Sequence, residues 1–235
     1  MNDAPETLDD IVRRADPDRW LASRFIEDEK ARADVVALYA FNDELARVAH
    51  TVREPLMGEI RLTWWREAME ELSAGKPPRK HPVIEALAAA DISTADLENL
   101  PEGRLADLDR IPFETAEAVL AYLDATAGQV MALAARRLDP ASRPEQVRSA
   151  ARAFGLAGLW RAKPTRLPPD WTPQDVRQRV AAELTAARAE LATLPVAAFP
   201  AVAYATLATP YAAGRNIGGL EKRIRLTLSV LRGRI

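Results

Sequence analysis

The sequence has no cysteine and only two histidines in 235 residues. Disulfides and thiolate metal sites are therefore excluded, and a histidine-rich metal centre lacks the ligands to form. An excess of one charge sign is missing as well: 32 Lys and Arg stand against 34 Asp and Glu, a formal net charge of -2. Such a balance gives no global field for nucleic acid, and no nucleic-acid partner is expected. No run of apolar residues reaches the ~18 to 20 that a membrane span requires, so membrane contact is expected to be peripheral. The N-terminal stretch MNDAPETLDDIVRRADPDRW is acidic and without an apolar run. It resembles neither a secretory signal nor an Arg-rich transit peptide, and a cytoplasmic protein, peripheral at most on the inner membrane, is expected.

Alternation of Val, Ile and Thr with polar residues is also nearly absent, while Ala, Leu and Arg are abundant. Both features point to helices throughout. The length suits one helical domain spanning 1–235. The pattern centres on Arg24 to Arg66, where Val35, Leu38, Tyr39, Leu45, Val48, Ala49 and Val52 recur in steps of three and four. Glu54-Pro55 breaks the chain, and a second helix carrying Ile60, Trp64 and Trp65 is expected to return antiparallel to the first. Thr7, followed by Asp9 and Asp10, reads as a helix cap, so short helices are expected over 7–25. Further helices are predicted at Pro55 to Ser73, Pro82 to Ala90, Thr94 to Leu108, Phe113 to Leu138, Glu145 to Lys163, Pro173 to Leu194 and Phe199 to Ala213. A basic amphipathic helix is predicted over 217–234. Gly75 to Arg79, Asp139 to Pro144 and Lys163 to Pro173 read as loops.

Several pieces of this sequence, in order, carry a family resemblance. They are Arg24-Phe25, Lys30-Ala31-Arg32, ALYAF at Ala37 to Phe41, WWREAMEEL, His81-Pro82-Val83, YLDATAGQVM at Tyr122 to Met131, GLAGLWR at Gly155 to Arg161 and Leu167-Pro168. Together, from about Arg19 to Asp170, they resemble the squalene/phytoene synthase family of head-to-head prenyltransferases. The resemblance implies an all-α, single-domain, isoprenoid-synthase-like bundle around a central cavity. It also implies Mg²⁺ and diphosphate held by two DxxxD motifs on facing helices. Here the first motif falls on Ala46 and His50, and the second on Ala162 and Arg166. The run NDELARVAHTVREPLMGEIRLTWWREAM is most similar to the branch that includes an assembly factor of mitochondrial respiratory complex I. That likeness implies no catalytic residue and a protein partner in a respiratory complex, and the lack of a transit-like N-terminal stretch points to a bacterial relative.

The residues themselves argue the same way about metal. Mg²⁺ is held by hard oxygens, and carboxylates four apart share a helix face. Asp43 and Glu44 are adjacent, so they diverge by about 100°. Nothing acidic lies between Glu145 and Asp170, where Arg148, Arg152, Arg161 and Lys163 stand instead. No metal or other cofactor is expected, with Mg²⁺ reserved for the alternative of an active prenyltransferase.

Other candidates carry two readings each. Asp43 and Arg47 are either a surface ion pair or, with Asn42 and Tyr39, lining of a ligand cavity. His50 is either a structural polar group or a pH-responsive cavity residue. Arg61 and Arg66 either rim the Trp64-Trp65 core, or stack on it or bind phosphate. Tyr122, Gly128 and Gln129 match the family's substrate-channel helix, and Gly155, Gly158 and Arg161 lie on the next. An apolar tunnel for a prenyl lipid or close helix packing would each account for the glycines. In the last helix Ile217, Leu220, Ile224, Thr227, Leu228 and Leu231 form a stripe beside Arg223, Arg225, Arg232 and Arg234, suited to an anionic membrane, a partner or the domain itself.

Overall fold

Caps and prolines start most helices where the sequence puts them. The computed structural model describes residues 6–235, so the first five residues of the acidic N-terminal stretch lie outside it. Thr7 and Asp10 form a reciprocal capping box that opens α1 (Leu8–Ala15). Asp16 accepts from the Arg19 amide to cap α2 (Pro17–Ser23), and Asp28 accepts from the Ala31 amide to cap α3 (Glu29–Thr51). Proline occupies the first position of α4 (Pro55–Ser73) and α5 (Pro82–Ala88), where its missing N–H leaves nothing unpaired. His81 caps α5, its Nδ1 accepting from the Val83 amide at 3.3 Å. No strand occurs among the described residues.

The chain divides into two compact units, Met1–Leu108 and Asp109–Ile235. In the first, α3 packs against α1, α4 and α5. Its residues Val35 to Phe41 are all buried. Asp34 is buried too, and it accepts from Lys30 and from the Asp91 amide. Lys30 also donates to the Ala89 carbonyl at 2.8 Å, which ties α3 to the end of α5. Trp65 packs with Phe41 and His81, ring centroids 5.4 and 4.9 Å away. The helix expected over Thr94 to Leu108 is instead α6 (Thr94–Leu97), α7 (Leu100–Gly103) and a 3-10 turn at Leu105–Asp107. Pro101 explains the break, because a proline in a helix interior lacks the N–H and collides with the preceding turn.

In the second unit the helix expected from Phe113 starts later, as α8 (Ala116–Leu123) capped by Thr115. It runs through a π turn at Asp124–Gly128 into α9 (Gln129–Leu138). By length and composition Ala116–Leu138 is long and apolar enough to cross a membrane, which corrects the expectation that no segment qualifies. Here half of its most apolar 18-residue stretch is buried within the protein, with Val119, Val130, Met131 and Ala134 fully enclosed. α10 (Arg148–Ala162) packs against α11 (Pro173–Glu190) and α12 (Ala208–Ala212). The helix expected over Phe199 to Ala213 is mostly 3-10 turns, Val196–Ala201 and Ala203–Leu207, with only α12 helical. Pro200 and Pro210 remove the donors a longer α-helix would need. α13 (Gly219–Arg232) ends at Gly233, whose φ of 60° supplies the left-handed C-cap.

Candidate functional site

In the first unit, the candidate residues lie along the C-terminal half of α3 and on α4. Tyr39 is buried, with the Arg19 guanidinium 5.7 Å from its ring centroid. Asn42 is buried one turn on, and its Oδ1 accepts from Arg104 at 2.8 Å. Asp43 is half-buried: its Oδ2 has no hydrogen bond and lies 3.8 Å from Arg47 Nη1. Burial pushes the Asp43 carboxyl above its ordinary 3.8, and the nearby Arg47 charge only partly opposes this. Arg47 hydrogen-bonds Glu44 instead, at 3.3 Å. Ala46 is half-buried and His50 is exposed, so neither position expected for the first metal motif carries a carboxylate.

A groove of about 170 Å³ runs beside these residues, lined by Glu44, Arg47, Val48, Thr51, Arg61, Trp64 and Trp65. Arg61 donates to Thr51 Oγ1 across it at 2.8 Å. Next to the groove Leu56, Met57, Ile60 and Trp64 are exposed on one face of α4. The cation over Trp64 is neither Arg61 nor Arg66. It is Arg79, 5.1 Å from the ring centroid and held by Glu71 at 2.7 Å and Glu67 at 3.3 Å. The Gly75 to Arg79 segment reads as a plain loop, and only its single arginine hinted at this.

In the second unit, Tyr122, Gly128 and Gln129 gather around the π turn. Tyr122 stacks on Phe113 at 5.1 Å, and its carbonyl accepts from Thr126. Gln129 Oε1 is buried without a hydrogen bond. Arg152 reaches from α10 to the turn and donates twice to Asp124, at 2.7 and 2.6 Å. The Arg152 charge also opposes the rise that burial imposes on Glu183. Ser149 donates to Glu190, so this part of α10 is tied to acidic residues of its own unit. Gly155 is packed against Leu123, whereas a Cβ on Gly158 would meet nothing within 4 Å. Arg161 lies over the Tyr211 ring at 4.2 Å. Ala162 ends α10 and is exposed, and Arg166 is buried in the 3-10 turn Pro164–Arg166, its guanidinium 4.7 Å from Phe113. Among the described residues no three His, Asp or Glu side chains cluster as metal ligands. The π turn itself was not foreseen, although such turns often accompany functional sites.

The fold class is that of an isoprenoid-synthase-like helical protein. A crystal structure of a dehydrosqualene synthase in complex with ligand superposes with a TM-score of 0.78, covering 96% of this chain and 94% of that one, at 14% identity. The squalene/phytoene synthase family model matches residues 12–165, and the chain belongs to that family. Among curated proteins it is similar to NADH dehydrogenase (ubiquinone) complex I, assembly factor 6, from mouse, at 28% identity over 127 residues, and from human, at 27%. Each match covers 53% of this chain and 38% of the relative, so the match spans well under half of those proteins.

Proposed function

We propose that this protein is a non-catalytic member of the squalene/phytoene synthase family that assists assembly of a membrane respiratory complex of the complex I type. The observation that carries the reading is the donor set at the four positions where the resemblance puts the family's metal motifs. Ala46, His50, Ala162 and Arg166 offer one imidazole, one cation and no carboxylate. Mg²⁺ requires a near-octahedral oxygen shell, and these residues do not fit it. The alternative donors are engaged or isolated: Asp43 is destabilised as an anion by burial, and Asp124 is taken up by Arg152. Without a bridging metal, the loss of diphosphate to an allylic cation lacks the charge neutralisation that would drive it.

The likeness to complex I assembly factor 6 supports the assembly role, and the α3–α4 segment that resembles that branch bears the exposed apolar face of α4. A second reading, a prenyl-lipid-binding protein, draws on the open space at Gly158 and the unpartnered buried carbonyl of Gln129. Diphosphate release from farnesyl and geranylgeranyl diphosphate, with and without Mg²⁺, tests the non-catalytic claim. No metal-dependent turnover is expected. Turnover would overturn the claim and restore the prenyltransferase. Lipid extraction of the same preparation then separates the two remaining readings, since only the lipid binder predicts a copurifying prenyl compound.

A further inference from the structure

We propose that α13 docks this protein on an anionic bilayer surface through a face that the fold leaves open. This inference stands on α13 alone and does not depend on the assembly role. The helix packs on the 3-10 turn Ala203–Leu207, and the residues it buries are Leu226 and Ser229. The stripe lies on the other side. Leu220 is 73% exposed, Ile224 51%, Leu228 41% and Leu231 77%. At 100° per residue these four side chains fall within an arc of about 80°. Four large apolar groups in one narrow stripe form a patch, unlike the single exposed apolar residues of an ordinary surface.

The charges around the stripe select its occupant. Arg223 flanks one side of the stripe; on the other side Glu221 lies nearest, with Arg232 and Arg225 just beyond it. From 219 to 235 there are five basic residues, Lys222, Arg223, Arg225, Arg232 and Arg234, against one acidic residue, Glu221. Glu221 is matched by Arg225 at 2.9 Å and Arg215 at 3.2 Å. A chain with a formal charge of -2 therefore concentrates positive charge around its most exposed apolar stripe. A second copy is a poor fit, since stripe against stripe would set arginine edges against arginine edges. A bilayer with anionic headgroups satisfies both features. The leucines and Ile224 enter the acyl boundary while the long arginine side chains keep their guanidinium groups at phosphate level.

Cosedimentation of the full chain with vesicles tests this. One set is phosphatidylcholine alone and the other phosphatidylcholine with phosphatidylglycerol. Binding is expected only to the second set and weakens as salt screens the charges. The double variant Ile224→Glu, Leu228→Glu is expected to bind more weakly by at least about ten-fold, because it places two anions in the stripe. Arg223→Ser and Arg232→Ser each weaken binding about five-fold. Val196→Glu, at an exposed apolar residue outside α13, leaves it unchanged. All these side chains are exposed or at the edge of the helix, and unchanged melting temperatures show that the variants fold. The proposal is overturned if the wild-type chain ignores anionic vesicles at low salt or the double variant binds as well as wild type. It is equally overturned if the stripe instead mediates dimers, seen as a change in sedimentation that the double variant abolishes.

Discussion

Gly155 and Gly158 lie nearly one turn apart on α10, and alanine at the two positions is expected to act in opposite directions. In a helix interior, Gly→Ala gains about 0.5–1 kcal/mol from reduced freedom of the unfolded chain and better propensity. At Gly158 the new Cβ meets nothing within 4 Å, so that gain is kept. For a chain of this length it raises the melting temperature by roughly 1–4 °C. At Gly155 the Cβ would fall 2.8 Å from Leu123 Cδ2 and 3.1 Å from Ala127 Cβ. Leu123 is buried, and the Ala127 methyl has no rotamer through which to escape, so overpacking of about 1–3 kcal/mol outweighs the propensity gain. The two variants should differ by about 1–3 kcal/mol in urea or thermal denaturation. Stabilisation by both, or destabilisation by both, would refute the packing argument. The pair also reads the site: if the space at Gly158 holds a prenyl chain, Gly158→Ala stabilises the protein while reducing copurified lipid.

Asp43 gives a pH prediction. Burial raises its folded value above 3.8, so the folded state holds the proton more tightly and the ionised carboxylate opposes folding. Its penalty grows as pH rises from 3.8 through the raised value and is complete above it. Asp43→Asn should therefore stabilise the protein at pH 7, with the difference closing as pH falls below 3.8; urea midpoints across pH measure this. Arg152→Met removes both bonds to Asp124 and should cost about 1 kcal/mol, kept low because Asp124 is partly exposed. A double-mutant cycle with Asp124→Asn isolates that coupling. Leu226→Ala removes the buried anchor of α13 and should cost about 2–4 kcal/mol, with proteolysis at the C-terminal end rising before the rest unfolds.

Local chemistry was the legible part of this fold. Thr7 and Asp10 cap α1 as read, and α4 spans the predicted Pro55 to Ser73, because caps and first-turn prolines act within a few residues. What depended on distant partners was not legible. Helical periodicity continues through Tyr122 to Met131 and gives no sign that the backbone widens at Asp124–Gly128. The cation on Trp64 comes from Arg79 because the loop returns there, whereas Arg61 shares the groove with Trp64 and donates to Thr51 instead. Asn42 is held by Arg104, 62 residues away. The apolar stripe of α13 was found by periodicity, but periodicity cannot say which face a fold covers. Leu226 and Ser229 face inward while Leu220, Ile224, Leu228 and Leu231 face out. At the candidate site, the residue types at 46, 50, 162 and 166 were plain from the sequence, whereas the burial of Asp43 and the pairing of Arg152 with Asp124 came only from the packing.

The central claim, assembly without prenyl transfer, is tested most directly by the amount of assembled complex I in cells lacking this gene. Native electrophoresis with in-gel NADH oxidation measures the complex, and lipid extracts of the same cells measure prenyl products. Assembled complex I should fall and return on re-expression of the wild-type chain, with prenyl products unchanged. Normal complex I in the deletion strain would contradict the account.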